Sequence, residues 1–137
     1  MRNLMLNIQA LLREKLNDVR NRDVFLSPDL SIVPESVKFP CIGIKDGKVG
    51  RKELSGGVLE LTLPVEIAVY ERLIRESETV LNTLAVCEAV HIALKGNYLG
   101  DYVKAVTSRD ESPTQVLYKK QALILRKIVP YTYEREE

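Results

Sequence analysis

The chain has one histidine, two cysteines, and no apolar run long enough for a signal peptide or a bilayer span. Each shortage closes off a kind of chemistry. The single histidine, His91, sits mid-helix between Val90 and Ile92, with no serine or cysteine motif beside it to activate, so it reads as a structural or interface residue. Cys41 and Cys87 fall inside predicted regular elements and, with one histidine, lack any metal-ligand spacing; they read as small buried hydrophobes rather than a disulfide or metal pair. A charge excess is missing as well. Lys and Arg number 20 against 19 Asp and Glu, a net charge of +1, which is weak footing for holding a polyanion. The first helix candidate, MRNLMLNIQALLREK, is apolar only at helical spacing and is broken by Asn3, Asn7, Gln9 and Arg13. No membrane segment, metal or cofactor is expected, and the expected location is cytoplasmic.

What remains is the profile of an ordinary globular protein. Apolar residues make up 45% and charged residues 28% of 137, enough chain for one domain, residues 1–137, with a real core. Residues 3–20 predict an amphipathic helix, because Leu4, Ile8, Leu11, Leu12, Leu16 and Val19 recur at steps of three and four. Pro28, Pro34 and Pro40 then impose an extended region, with short strands expected at 24–26 and 30–33. A stronger strand is expected at 39–44, with Pro40 at its first position or on an edge. From 58 to 73 the apolar residues Leu59, Leu61, Leu63, Val65, Ile67 and Val69 hold every odd position, the period of a strand with one buried face. Pro64 in its middle predicts a bulge or an edge.

A second helix is expected from Ser77, as its N-terminal cap, to Lys95, with Gly96 closing it. Val80, Leu84, Cys87, Val90 and Leu94 take one side and Ala85, Ala89 and Ala93 another. The polar sector is so narrow that this helix should be covered on more than one side, by the first helix or by a neighbouring subunit. Residues 101–108 and 114–129 read as closing strands. The apolar parity changes at Lys119-Lys120-Gln121, which predicts a bulge or sharp twist. This order is that of an α+β domain: an antiparallel or mixed twisted sheet, two main helices packed on one face, and a long protruding hairpin.

The tip of that hairpin is KDGKVGRKELSGG, residues 45–57, with four glycines, four basic residues and two acids. Its composition suits a phosphate loop, a nucleic-acid finger or a protein-docking arm. A phosphate loop needs Lys-Ser or Lys-Thr leading into a helix, whereas Gly56-Gly57 lead into a strand. Nucleic-acid binding draws on Tyr118-Lys119-Lys120, Arg126-Lys127 and Tyr131/Tyr133, which interleave aromatics with base; lysine, arginine and tyrosine are also ordinary rim residues at strand ends. Glu60 and Glu66, six residues apart on one strand face, are roughly 20 Å from each other and cannot share a substrate bond or a metal. They read as a solvated or subunit-facing surface.

Taken in order, MLNIQALLREKLNDV, FPCIGI, the hairpin, ELTLPVEIAVYER, ETVLNTLAVCEAVHIALKG and the closing strands ending in VPYTYERE make a chain that resembles the tail terminator, or tail completion, proteins of long-tailed bacteriophages and prophages. The resemblance runs over nearly the whole chain and rests on pattern rather than on fixed residues. It implies a non-enzymatic subunit that forms a ring, typically a hexamer, on the head-proximal end of the tail tube. Such a ring halts tube polymerisation and offers a surface to the head–tail connector. The implied places are the host cytoplasm during assembly and the virion tail. The implied partners are further copies of the chain, the tail-tube protein and the connector, with no specific nucleic acid and no membrane. In that reading Lys48, Arg51, Lys52 and Leu54 of the arm meet a protein partner, and Glu60, Glu66, Ala85, Ala89 and His91 are candidates for the ring interface.

Overall fold

The computed structural model describes residues 1–119 and 122–137. Its elements are α1 (Arg2–Lys15), a 3-10 turn (Asn21–Asp23), β1 (Val24–Leu26), β2 (Cys41–Asp46), β3 (Gly50–Glu53), β4 (Leu59–Arg72), α2 (Glu76–Leu94), β5 (Ala105–Ser108), β6 (Gln115–Lys119) and β7 (Ala122–Glu136). The two helices and a seven-stranded sheet form an α+β fold. The sheet is open, in the order β1-β2-β4-β7-β5, with β3 joining β4 and β6 joining β7. β1 runs parallel to β2 and every other pairing is antiparallel, so the sheet is mixed. No described helix is long and apolar enough to cross a membrane.

The period-two pattern of β4 places its odd residues as expected. Leu61, Leu63, Val65, Ile67 and Val69 are buried under the helices, against Leu4, Ile8 and Leu12 of α1 and Val86, Val90 and Leu94 of α2 in one core. One strand face was expected to be buried, yet Ala68 and Tyr70 on the other face are buried too. Residues 27–40 cross that side of the sheet and make a second, smaller core with Leu30, Cys41, Ala68, Tyr70 and Ile124. The Tyr70 hydroxyl donates to the Leu30 carbonyl at 2.6 Å, pinning the crossing in place.

Several expected boundaries move, each for a local reason. The first helix stops at Lys15 rather than near residue 20, because Leu16 turns extended. Gln9 and the Arg13 guanidinium both donate to the Val24 carbonyl at 3.0 Å, tying the returning chain to the helix. Leu16 and Val19 stay buried without being helical. Residues 30–33 are turn and coil, not a strand. Ser27 Oγ donates to the Asp29 carbonyl, and the Asp29 carboxylate accepts from both the backbone and the hydroxyl of Ser31, so local side-chain bonds hold a turn there. Ser77 lies inside the first turn of α2 instead of capping it; the cap position is Arg75, and Thr79 Oγ1 accepts from the Arg75 N–H at 3.3 Å. Gly96 follows the helix at φ +62°, as its capping role requires.

The expected single strand at 114–129 is two strands. β6 and β7 run antiparallel with Val116 opposite Leu125 and Tyr118 opposite Leu123, so the parity change marks a reversal of the chain. Of the bulge expected at Lys119-Lys120-Gln121, residues 120 and 121 lie outside the described residues, and Lys119 pairs with Ala122. The first of the closing pair is likewise shorter than 101–108, beginning at Ala105.

Pro64 does occasion a bulge, but on the neighbouring strand. Its carbonyl accepts from the Gly47 N–H at 2.8 Å, so its missing donor faces the same neighbour. Between the pairs Asp46–Val65 and Gly50–Thr62, three residues stand opposite two, which removes the need for a bond from Pro64. A side chain at Gly47 would meet Pro64 Cγ at 2.7 Å, so only glycine fits this close approach. The β3–β4 hairpin is part of the sheet rather than a free arm. β4 pairs with β7 as far as Glu60–Glu136, and only the turn at 54–58 extends past the ladder, with Gly56 and Gly57 at φ +83° and +78° at its tip.

Candidate protein-docking surface

α2 packs on β4 and β7 through Thr79, Thr83, Val86, Cys87, Val90 and Leu94. Apolar residues elsewhere on the helix are left outside. Ile74, just before the helix, is exposed; on the helix Leu81 is 64% exposed and Ile92 78%, with Ala85 and Ala89 between them and Leu84 at the margin. Those residues recur at steps of three and four and so make a stripe opposite the buried one. A stripe of this kind on a packed domain is a candidate contact surface. α2 also carries Glu76, Glu78 and Glu88 and no lysine or arginine, while Arg75 before it pairs with Glu78 and Lys95 follows its last turn, so the stripe is apolar with charges of both signs at its ends.

Two grooves flank this face. One of about 740 Å³ lies at the C-terminal end, between Ala89, Ala93 and Ile92 of the helix and the segment carrying Tyr98 and Asp101. The other, about 450 Å³, lies between the helix and the β5–β6 connection and is lined by Leu84, Cys87, Glu88, His91, Glu111 and Lys127. His91 Nδ1 and the Tyr131 hydroxyl are hydrogen-bonded at 2.8 Å and their rings stack, so the one histidine is anchored to the sheet. Burial pushes the Tyr131 phenol above its ordinary range and the Cys87 thiol up to about 12, so both are neutral near pH 7. Cys87 and Cys41 are buried free cysteines, as their surroundings in the sequence suggested.

The residues expected at a ring interface do not share one surface. Ala85 and Ala89 are exposed on the outer face of α2, and His91 is half-buried at the groove. Glu60 and Glu66 belong to the face of β4 turned away from the helices. Glu60 already has a partner in the chain. Lys104 Nζ reaches it at 2.8 Å and Glu136 at 3.0 Å, and the hydrogen bond from Lys104 holds the Glu60 carboxyl below its ordinary range. Lys104, just before β5, thus ties Glu60 of β4 to Glu136 of β7, and Glu66 alone of the two glutamates is exposed.

Of the arm residues, Lys48, Arg51 and Lys52 are exposed and have no ion-pair partner among the described residues. Leu54 is half-buried in the turn, where its N–H donates to the Val58 carbonyl at 2.7 Å. Val49 packs against the main core.

The basic and aromatic residues near the C-terminus are dispersed by the fold. Tyr131 and Tyr133 are core residues, at 1% and 0% exposure. Arg126 donates to the Leu30 carbonyl and to Gln115, and Lys127 to the Ser112 carbonyl. Only Tyr118 of those tyrosines faces solvent. The sequence pattern does not distinguish Leu81, Ile92 and Ile74: the apolar excess of α2 is visible in it, but a helix apolar on nearly every side does not say which side stays open. No protein-family model matches the chain, and no curated protein matches it.

Proposed function

We propose that this chain is a structural subunit that assembles with copies of itself through the outer face of α2, and that its role is that of a phage or prophage tail terminator. One observation carries the self-assembly: Leu81, Ala85, Ala89 and Ile92 form an exposed apolar stripe along the outer face of one helix, apart from the two buried cores. Burying a leucine or isoleucine from water contributes about 1.5–3 kcal/mol, so a face with two of them is a substantial source of association energy. The terminator role draws on the resemblance in element order, which the α+β architecture with helices on one sheet face suits. In that role a ring, a hexamer by family resemblance, sits on the tail tube, meets the tube protein on one side and the head–tail connector on the other, and performs no chemistry.

Light scattering and electron microscopy test the assembly. The chain should form closed rings, alone or with tube protein, and Ile92→Asp should leave a folded monomer. A wild-type chain that stays strictly monomeric at high concentration and beside tube protein would sink the proposal. The terminator role is tested by adding the chain to polymerising tube protein, where tubes of limited length are expected.

A further inference from the structure

The groove of about 450 Å³ beside α2 has apolar walls and acidic margins. Leu84 and Ile92 supply apolar wall, while Glu88 from the helix and Glu111 from the β5–β6 connection stand at its sides. Neither carboxylate has an ion-pair partner among the described residues. Lys127 also lines the groove, its ammonium donating to the Ser112 carbonyl at 2.6 Å and keeping its charge, so against the two carboxylates the charged lining still has an acidic excess. Apolar walls with carboxylates beside them suit a side chain with an apolar stem and a cationic end, which is arginine or lysine.

Such side chains stand unpaired on the β3–β4 hairpin. Arg51 lies opposite Leu61 and so on the helix side of the sheet, Lys52 lies opposite Glu60 on the other side, and Lys48 sits in the bulge before them. Residues 45–57 carry four basic and two acidic groups, against three glutamates and no lysine or arginine on α2. β3 pairs only with β4, while α2 packs on β4, β7 and α1, so the basic and acidic surfaces belong to different parts of one molecule.

We infer that the groove receives the β3–β4 hairpin of a second copy, with Arg51 set between Glu88 and Glu111, so that copies join head to tail. This rests on the self-assembly proposed above and names the surfaces that meet. Each copy offers one hairpin and one groove, so the contact is heterologous and repeats until it closes on itself. The charges steer the hairpin to the groove and set its register, and the apolar stripe beside the groove supplies the remaining attraction.

The test is a charge swap, read by analytical ultracentrifugation on variants whose circular dichroism is that of the wild type. Arg51→Glu with Lys52→Glu should weaken assembly by at least about tenfold, as should Glu88→Lys with Glu111→Lys. Mixing the two variants should restore it, because the intact hairpin of one then meets the intact groove of the other and the reversed hairpin meets the reversed groove, and the four substitutions in one chain should restore it as well. A photo-crosslinking residue in place of Ser55 should join the hairpin to α2 or to residues 109–114 of another copy. A wild-type chain that assembles while both reversals assemble equally well, or whose crosslinks fall elsewhere, overturns the inference and leaves self-assembly standing. A strictly monomeric wild type overturns the self-assembly itself.

Discussion

Asp23 is buried, at 1% exposure, where the 3-10 turn hands over to β1. Its carboxylate accepts from Arg20 Nε at 2.6 Å and Nη2 at 3.2 Å, and from the Lys38 N–H at 3.2 Å, so it joins the first turn of the chain to the crossing over the sheet. The Arg20 hydrogen bond, helped by the Lys38 N–H, holds its pKa below the ordinary aspartate value, outweighing burial, which acts the other way. A depressed folded-state pKa means the stabilisation is present in full above the unfolded value, near pH about 4, and is lost as pH falls through the folded value. Asp23→Asn should therefore cost about 2 kcal/mol near pH 7, the range for hydrogen bonds to a charged group. The gap to wild type should narrow below pH about 4. Urea unfolding at pH 7 and at pH 3 checks both; an equal gap at the two values would show that the carboxylate's charge contributes nothing.

At the scale of the element, β3 is the least buried of the described strands. It is four residues long, all of them exposed, and its only neighbour is β4. β4, by contrast, is flanked on both sides and buries five odd-numbered residues in the main core. Local opening follows buried contact, so amides at 48–57 should exchange with deuterium faster than those of β4, with the turn at 54–57 fastest. Hydrogen-exchange mass spectrometry on the free protein reads this directly, and equal protection of the two segments would refute it. Arg51→Glu with Lys52→Glu should shift the unfolding midpoint little, since exposed charges contribute about 0–1 kcal/mol; a large loss would mean the hairpin's charges are structural.

For the whole molecule, the distribution of charge matters more than its sum. The net charge is +1, and the cations of β7 that the sequence places beside tyrosines are bonded within the chain while Tyr131 and Tyr133 face the core. There is no aromatic platform along β7 on which bases could stack. Binding to oligonucleotides should be weak and should fade between about 50 and 200 mM salt, as phosphate contacts alone do. Submicromolar affinity that persists at the higher salt, measured by fluorescence anisotropy, would instead favour a nucleic-acid role for the basic hairpin.

The periodicities of the sequence determined the core of this protein. The odd residues of β4 and the Leu4, Ile8, Leu12 stripe of α1 are buried as their spacing requires, because period two and period 3.6 each leave one side for the interior. Gly96 likewise announced the end of α2, since few other residues take φ +62° without strain. Tertiary structure decided what local pattern leaves degenerate. The parity change at Lys119 fits a bulge or a reversal equally well, and only the pairing of β6 with β7 distinguishes them. A strand residue such as Tyr70 counts as outer or inner according to whether distant chain, here residues 27–40, covers that face. The same holds for α2: apolar residues lie on nearly every side of it, and the sheet can cover only one. Leu81 and Ile92 are exposed because the sheet took the Val86–Val90–Leu94 side, a choice made by the packing of α2 on β4 and β7 rather than by anything within the helix itself.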